Sequence, residues 1–370
     1  MPEGQAELKA VQFSDIAGWR DEDHAAAFEP FHRSCEKIVA VEEARQKSGK
    51  SDAAPHPLTD ICLDALALPV RIDGSAARNF FEKHFIPHRY EGQGLQGFVT
   101  GYYEPEVKGS RTRSEDYTVP VYRVPDDLEQ LFSDEERARR NKEMTAGRRV
   151  NGEIAPYFDR KEIEQGALEG RGLEILWMAD QVDAFYMHIQ GSGRVILNDG
   201  SHVRLSYAAK NGHAYTAIGG ILIRDNQITR EKMSMEAVRS WLANNPDKAR
   251  ELMWENRSYI FFRELPNDPD APGPEGAQGV PLTPLRSLAV DTSIHAVGLP
   301  VWVDAPDLDL HEKSGFHSLM IAQDTGSAIR GPERGDIFWG SGDEAGALAG
   351  STKHAAQFTI FLPKGVKPGS

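Results

Sequence analysis

The chain has 370 residues, of which 40% are hydrophobic and 26% are charged, and its net charge at pH 7 is −14. This composition is typical of a globular protein, and the length predicts about two domains with ample residues for a buried core. The acidic balance argues against a nucleic-acid partner, which needs a basic face, but it does not exclude an uncharged glycan. The sequence contains no apolar run of about 18 residues that could span a bilayer.

The first ninety residues are predicted to be mainly helical. A long polar segment at 21–46 carries apolar residues at helical spacing, and Ser75 is a plausible N-cap for a later helix. The first ten residues, MPEGQAELKA, lack the parts of a signal peptide and a cysteine for a lipid anchor. Cys35 and Cys62 both fall in predicted helices. Two buried thiols and one disulfide remain open interpretations, and export would favour the disulfide.

Three glycines, Gly92, Gly94 and Gly97, fit the spacing G-x-G-x-x-G. That pattern binds a dinucleotide only when it follows a strand and opens a helix. Here it follows a predicted helix and opens a predicted strand, so we do not interpret it as a nucleotide site.

The predicted strand at 98–103 ends in two tyrosines, Tyr102 and Tyr103, and Glu104 follows it. Tyrosine rings can stack on a sugar while a carboxylate hydrogen-bonds its hydroxyl groups. Buried aromatic residues on a barrel strand are the alternative interpretation.

Residues 106–250 have a different pattern, in which short strand-like runs alternate with turn signals. This pattern predicts a mostly antiparallel, barrel-like module. The predicted strands are VPVYRV, LEILWMA, AFYMHIQ, RVILNDG, HVRLSYA and GGILI, and the predicted helices are SDEERARRNK, DRKEIEQGALEG and two short helices within 234–256. A loop rich in proline, glycine and acidic residues begins at Glu264 and separates this module from the C-terminal strands.

Three aspartates in the C-terminal region each lie at the edge of a short apolar run. They are Asp291 in SLAVDTSI, Asp324 in AQDTGSAIRG and Asp336 in GDIFWG. Strands are predicted at 319–322 and 337–339, so Asp324 and Asp336 would lie at strand ends. The three positions are too far apart for one helix face, so only a closed sheet or barrel could bring them together. The small residues and glycines that follow allow a ligand to approach the backbone.

These three motifs, together with GYYEPEV and IQGSGRV upstream, resemble the motifs of the membrane-bound lytic murein transglycosylase A family with its three-aspartate (3D) domain. They occur in the family's order, and the resemblance extends from about residue 97 to the C-terminus. It implies an α+β fold, mainly β with N-terminal helices, in which two domains are separated by a groove. The first domain would combine residues 1–105 with 251–370 and contain a C-terminal double-psi β-barrel, with the 3D domain at about 280–362. The second would be a β-barrel-like insert at 106–250, with chain crossings near 104–108 and 250–262.

The resemblance also implies the reaction. Such an enzyme is a peptidoglycan lytic exotransglycosylase, a lyase that cleaves the β-1,4 MurNAc–GlcNAc bond without water and leaves a 1,6-anhydromuramoyl product. It needs no cofactor and no metal. Hydrolases usually divide the work between two carboxylates, whereas one acid that becomes a base is enough here. The family match gives that role to Asp336, and Asp324 is the expected neighbour whose charge favours protonation. Asp291 is either a third member of the site or a turn residue.

A second set of residues is expected to bind the sugar from the opposite wall of the groove. Amides, hydroxyls and rings there would contact N-acetyl groups and sugar faces, and the candidates are Gln190, Ser192, Asn211, His213 and Tyr215. Gly340 and Gly342 either let the backbone approach the sugar or shape a turn. Each of these residues also has a purely structural interpretation.

Two other functions remain open from the sequence: an inverting glycoside hydrolase on a double-psi barrel, and a non-catalytic, expansin-like wall-binding protein. Ser192 lies in G-S-G and not in a nucleophile elbow, and no H-E-x-x-H zinc motif is present. The family resemblance implies a periplasmic protein associated with the outer membrane. Its expected partners are peptidoglycan strands, with the wall-synthesis machinery as a further candidate and a monomer as the expected state.

Overall fold

The computed structural model describes residues 7–48, 54–91, 96–131, 144–266, 271–309 and 315–366. The charged helix predicted at 133–142 lies outside these described residues. The chain divides into two compact units. Unit 1 contains residues 1–101, 275–340 and 352–370, and unit 2 contains residues 102–274 and 341–351. The crossings therefore lie at 101–102 and 274–275, with an additional excursion at 341–351 that the sequence did not indicate.

The N-terminal part of unit 1 contains the α-helices α1 (His24–Lys47), α2 (Thr59–Leu66) and α3 (Gly74–His84). Asp73 caps α3 by accepting a hydrogen bond from the Ala76 amide at 2.9 Å, so the N-cap is Asp73 and not Ser75. Aromatic rings at helical spacing on α1 pack against rings of α3, with Phe28 5.2 Å from Phe80 between centroids. This packing buries the apolar face that the sequence pattern predicted.

A disulfide joins Cys35 of α1 to Cys62 of α2, with a Cα–Cα distance of 4.7 Å. Both cysteines are completely buried. Of the two interpretations that the sequence left open, the structure adopts the disulfide.

The sheet of unit 1 has nine strands in the order β1-β2-β18-β14-β15-β13-β16-β3-β17. Strands β13 and β15 run parallel, whereas β14–β15 and β13–β16 run antiparallel. The strand bounds are β1 Glu7–Ala10, β2 Phe85–Glu91, β3 Phe98–Glu104, β13 Ser287–Val290, β14 Pro300–Ala305, β15 Phe316–Asp324, β16 Arg334–Ser341, β17 Lys353–Ala355 and β18 Gln357–Pro363.

Unit 2 contains a six-stranded sheet in the order β12-β11-β10-β4-β9-β5 and a three-stranded sheet in the order β6-β7-β8. All of the described pairings in the six-stranded sheet are antiparallel except β10 with β4. The strand bounds are β4 Glu106–Ser110, β5 Val119–Tyr122, β6 Glu129–Gln130, β7 Ala146–Val150, β8 Glu153–Pro156, β9 Glu174–Met178, β10 Ser192–Leu197, β11 His202–Lys210 and β12 Ile260–Glu264.

The described helices of unit 2 include the two short helices predicted on either side of Pro246, and that prediction is confirmed. Their bounds are α4 Arg160–Glu162, which continues as a π-turn at Ile163–Ala167, α5 Gln181–Gln190, α6 Ile218–Arg224, α7 Met235–Asn244, α8 Pro246–Trp254 and α9 Gly342–Ser351.

Two segments predicted as strands, AFYMHIQ and GGILI, form helices α5 and α6 instead. Helix α5 is buried on two sides, because Ala184 and Met187 pack on the sheet core while Phe185 and Tyr186 pack among the helices. Burial on both sides gives a continuous apolar run, which the sequence pattern cannot distinguish from a buried strand. Asp180 at the N-cap and Gly191 in the left-handed region at the C-cap mark the ends of this helix.

Within the described ranges, every helix is too short or too polar to cross a membrane.

Candidate active site

Two of the three predicted aspartates lie in one row across the sheet of unit 1. Ala289 of β13 pairs with Asp324 of β15 on one side and with Asp336 of β16 on the other. Directly paired residues point to the same face of a sheet. The strand spacing of about 4.8 Å therefore places the two aspartate Cα atoms roughly 10 Å apart on one face.

A bulge in β15 puts Asp324 in this row. Leu288 pairs with Ala322, but the next residue, Ala289, pairs with Asp324, so the register passes over Gln323. Gln323 is completely buried, and its amide nitrogen donates to Pro30 O at 2.9 Å and to Ser34 Oγ at 2.8 Å. Bulges commonly re-aim side chains beside active sites. Here the bulge anchors the end of β15 to α1.

The Asp324 carboxylate accepts two backbone hydrogen bonds. The amides of Ala277 and Thr325 both lie 2.9 Å from its Oδ1 atom. These bonds, together with the anchoring of Gln323, fix the position of the second negative charge near Asp336.

The Asp336 side chain has an unusual protonation equilibrium. Burial raises the pKa of this carboxyl from 3.8 to about 6, and the charge of Asp324 acts in the same direction. A hydrogen bond from Thr100 and the charge of Arg334 lower the pKa and limit the rise. The carboxyl can therefore exist in either protonation state at mildly acidic to neutral pH, as a general acid or base requires.

Thr100 and Arg334 are site residues that the sequence did not suggest. The Thr100 hydroxyl donates to Asp336 Oδ1 at 2.5 Å and accepts from Arg334 Nη2 at 2.8 Å. The Arg334 guanidinium lies 5.6 Å from the centre of the Phe98 ring. The available signal was the strand period of two, because Arg334 precedes Asp336 by two residues and so shares its face.

Asp291, the third predicted aspartate, lies two residues beyond Ala289 and outside the row. It is 4% exposed, and its carboxylate accepts from the Gly331 amide at 2.9 Å and from the Ser293 hydroxyl at 2.7 Å. Although burial acts in the opposite direction, these hydrogen bonds and the charge of Arg330 lower its pKa. An ionised carboxylate with these partners organises a turn, which is one of the two roles that the sequence left open.

Glu104 lies in unit 2 and is completely buried. Its Oε1 atom lies 2.8 Å from Arg204 Nε, and its Oε2 atom accepts from Ser341 Oγ at 2.6 Å. Arg204 also donates to the Gly273 carbonyl at 3.0 Å. This arrangement gives Glu104 a structural role that connects the ends of β3 and β16 with the segment near 273.

The other predicted sugar-binding residues of unit 2 differ in exposure. Tyr102 and Gln190 are partly exposed, Tyr215 is 38% exposed, and Tyr103 and Ser192 are 6% and 7% exposed. Gln190 Oε1 accepts from the Tyr103 amide at 3.2 Å, so the end of α5 is held beside β3.

Asn211 and His213 are bound to the backbone of neighbouring loops. The fully buried Asn211 amide donates to the carbonyls of Phe158 and Arg257, and its oxygen accepts from the Tyr259 amide, each at 2.9 Å. His213 Nε2 lies 2.8 Å from the Tyr157 carbonyl. The structure therefore gives both residues a role in holding loops together.

Gly340 and Gly342 have φ angles of 114° and 85°. Side chains rarely adopt this left-handed backbone conformation, so both glycines are needed for the turn from β16 into α9. Gly346 within α9 lies against Tyr103, and a Cβ atom there would be 2.8 Å from the ring.

Comparisons with known proteins show the family of this chain. Two family models match the chain, the MltA specific insert domain at residues 98–263 and the 3D domain at residues 286–362. Membrane-bound lytic murein transglycosylase A of Escherichia coli K12 is 34% identical over 296 residues, which are 78% of this chain and 72% of that protein. The chain belongs to the membrane-bound lytic murein transglycosylase A family.

Two further members extend the likeness. The Vibrio cholerae protein of the same name is 36% identical over 271 residues, and the matched part spans 71% of this chain and 65% of that protein. The crystal structure of a membrane-bound lytic murein transglycosylase from Agrobacterium tumefaciens has a TM-score of 0.83 and 36% identity, with 97% of this chain and 98% of that chain covered. The family predicted from the five motifs is therefore confirmed, as is a mixed fold of helices and mostly sheet. Membership favours a lytic murein transglycosylase over the hydrolase and the wall-binding alternatives.

Proposed function

We propose that this protein cleaves the β-1,4 MurNAc–GlcNAc bond of peptidoglycan strands without water and releases 1,6-anhydromuramoyl products. The observation that carries this proposal is the protonation equilibrium of Asp336. Burial and Asp324 favour the acid form, whereas Thr100 and Arg334 favour the carboxylate, and the resulting pKa is about 6. A single carboxyl that is stable in both forms can give a proton and then accept one.

In the first step, protonated Asp336 donates its proton to the glycosidic oxygen and the bond from that oxygen to C1 of MurNAc breaks. The developing positive charge at C1 is stabilised by the carbonyl oxygen of the substrate's own N-acetyl group. In the second step, the Asp336 carboxylate takes the proton from the C6 hydroxyl while O6 attacks C1. The anhydro ring closes and Asp336 is protonated again, so no water is consumed and no cofactor is needed.

The two charged neighbours of Asp336 have opposite effects on this cycle. The negative charge of Asp324 stabilises the protonated state that begins the reaction. The positive charge of Arg334 and the hydrogen bond from Thr100 stabilise the carboxylate that removes the C6 proton. These residues therefore adjust the acid–base properties of Asp336 and need not touch the sugar.

We further propose that residues of unit 2 contact the glycan. The partly exposed side chains of Tyr102, Gln190 and Tyr215 are the best candidates for stacking and for hydrogen bonds. Tyr103 and Ser192 would contribute through their small exposed surfaces. Three buried or loop-bound residues of unit 2 would have a structural role instead and hold the glycan-binding elements in place: Glu104, Asn211 and His213. Asp291, Gly340 and Gly342 would shape the turns beside Asp324 and Asp336.

The finer description of the fold is also a proposal. A double-psi barrel in unit 1 is supported by the combination of parallel and antiparallel pairs around β13 and β15. A second barrel in unit 2 is supported by the contact between β12 and β5, the two end strands of its six-stranded sheet. The names of the relatives support an envelope protein that works in the periplasm. Outer-membrane association, exolytic cleavage and a monomeric state are proposals that rest on the family resemblance of the motifs.

Digestion of purified sacculi followed by mass analysis of the soluble muropeptides tests the function. The wild type is expected to release anhydro products, each lighter by one water than the hydrolytic product, and Asp336→Asn is expected to release none. Asp343→Asn is a matched control, because Asp343 is an exposed aspartate on α9. Only hydrated reducing ends would favour the hydrolase, and sugar binding without release by the wild type would favour the wall-binding protein.

A further inference from the structure

We propose that Arg334, acting through the Thr100 hydroxyl, determines which oxygen of Asp336 carries the catalytic proton. Arg334 keeps Oδ1 as a hydrogen-bond acceptor, so the acid proton resides on Oδ2. This makes Arg334 and Thr100 positioning residues, and the inference rests on the proposed function of Asp336.

The argument begins with the direction of two hydrogen bonds. Arg334 Nη2 lies 2.8 Å from Thr100 Oγ1, which lies 2.5 Å from Asp336 Oδ1. A guanidinium group has only donors, so the Thr100 oxygen must accept from Arg334. A hydroxyl has a single hydrogen, and this hydrogen is therefore directed toward Asp336 Oδ1.

This direction has the same consequence in both protonation states. When Asp336 is ionised, the Thr100 hydrogen stabilises the carboxylate. When Asp336 is protonated, Oδ1 still accepts from Thr100, and the proton must lie on Oδ2. Without Arg334, the Thr100 hydroxyl could rotate and accept a hydrogen bond from a protonated Oδ1. The acid proton would then be bound to Thr100 instead of being available to the glycosidic oxygen.

The position of Arg334 suits this role. It lies on the same strand face as Asp336, it is largely buried, and its guanidinium packs over the Phe98 ring. It also donates to the Gly335 carbonyl. Burial lowers the pKa of Arg334 while the charge of Asp336 raises it, and arginine remains charged in proteins. Arg334 is therefore a permanent donor with a fixed orientation.

Arg334 also affects the acidity of Asp336. The charged groups that influence this carboxyl are Arg334 on its own strand and Asp324 on β15, with the Thr100 hydroxyl on β3 as the neutral partner. The charge of Arg334 lowers the pKa of Asp336, so its removal should raise that pKa. Because the reaction begins with the protonated acid, the fall in activity at high pH should move upward.

The test is the pH profile of kcat and kcat/KM for muropeptide release by the wild type, Arg334→Met and Arg334→Lys. Arg334→Met should lower the maximal kcat about 10-fold, which is less than the roughly 10²–10⁴-fold that a complete general acid–base contribution provides. The alkaline limb of its pH profile, which is the fall of kcat at high pH, should nevertheless move to higher pH, and KM should change little. Arg334→Lys retains a charged donor, so its limb should stay near that of the wild type and part of kcat should return.

A double-mutant cycle tests whether Arg334 acts through Thr100. Thr100→Val removes the hydroxyl at nearly constant volume, and Thr100→Ser is the variant that should keep the connection. If Arg334 acts through Thr100, adding Arg334→Met to Thr100→Val should lower the maximal kcat less than twofold further. Independent, multiplying effects of the two substitutions would overturn the proposal, as would an Arg334→Met enzyme with the maximal kcat and alkaline limb of the wild type.

The titration of Asp336, followed by carbon-13 NMR in the free protein, provides a readout that does not need turnover. A higher Asp336 pKa in Arg334→Met is the expected result, and an unchanged pKa would contradict the proposed contact. The outcomes also separate the two hypotheses. A wild type that makes no anhydro product overturns the proposed function. An active wild type whose kcat, pH profile and Asp336 pKa are unchanged by Arg334→Met overturns only this inference.

Discussion

Asp324 and Asp336 pair with opposite sides of the same residue, Ala289, although they belong to different strands and to motifs that are separate in the sequence. The relationship depends on the bulge at Gln323, which advances β15 by one residue against β13. It brings a fixed negative charge close enough to raise the pKa of the catalytic candidate. The acid–base chemistry is therefore sensitive to the register of three strands.

Replacement of Asp324 by asparagine should lower the pKa of Asp336, because it removes a negative charge that raises this pKa. The alkaline limb of the pH–activity profile should move below that of the wild type, and activity should fall most above pH 6. Thr100→Val should have the opposite effect, because loss of its hydrogen bond to Asp336 should raise the pKa of Asp336 and move the alkaline limb to higher pH. Identical limbs in Asp324→Asn and the wild type would show that the two carboxyls are not coupled.

Asp336→Asn should abolish turnover but stabilise the folded protein above about pH 6. The carboxyl has a folded pKa of about 6 against 3.8 for its ordinary value, so the folded state holds the proton more tightly. Ionised Asp336 therefore destabilises the fold. The cost is absent below pH 3.8, grows as the pH rises to 6 and then stays constant at about 2–3 kcal/mol. Urea unfolding of both proteins at pH 4 and pH 8 measures this difference, and an equal or lower stability of Asp336→Asn at pH 8 would contradict it.

The Cys35–Cys62 disulfide should make a large contribution to stability. It joins residues separated by 27 positions, and cross-linking a loop of that length should stabilise the fold by about 3–4 kcal/mol through the entropy of the unfolded chain. Reduction should therefore lower the urea midpoint of the wild type. The double variant Cys35→Ala/Cys62→Ala should be less stable and should not respond to reductant. A wild type with the same midpoint in both conditions would show that the bond does not form.

Glu104→Gln should destabilise the protein instead of weakening sugar binding directly. Removal of one partner from a buried ion pair usually costs about 3–5 kcal/mol, because Arg204 would lose its compensating charge. Glu264→Gln is the matched control, since its pair with Arg111 is 41% and 46% exposed and should contribute about 0–1 kcal/mol. Denaturation curves give the stabilities. A Glu104→Gln protein with unchanged stability and a strongly raised KM would instead identify Glu104 as a sugar contact.

Much of the C-terminal region could be predicted from its sequence. The apolar runs beside Asp324 and Asp336 are strands, as expected, because each run is only a few residues long and is followed by glycine-containing turn residues, which favour a strand over a helix. In the structure, Asp324 and Asp336 lie in one row of the sheet, on either side of Ala289, whereas the prediction that a closed sheet or barrel brings the aspartates together stays a prediction. The sequence did not predict that both aspartates pair with Ala289, because the register of β15 depends on the bulge at Gln323 and on its contacts with α1.

The helices and site residues that the sequence did not predict depend, like the strand register, on tertiary contacts. Helices α5 and α6 were predicted as strands because their segments are short and apolar on more than one side, and tertiary packing decided between helix and strand. Helix α9 was missed because GSGDEAGALAG is rich in glycine, which disfavours an isolated helix. Thr100 and Arg334 were missed because neither belongs to a motif with an evident catalytic group, and their roles follow only from the pairing of β3 with β16.

The division of the chain into interleaved segments affects how the protein can be synthesised. Unit 2 receives its last helix only at residues 341–351, and unit 1 receives its last strands only after that point. A ribosome or an export channel must therefore deliver nearly the whole chain before either unit can be completed. Unit 2 can be completed once residue 351 has been delivered, whereas unit 1 must wait for the strands that follow, so intermediates with an incomplete sheet in unit 1 should persist until late in translation or translocation.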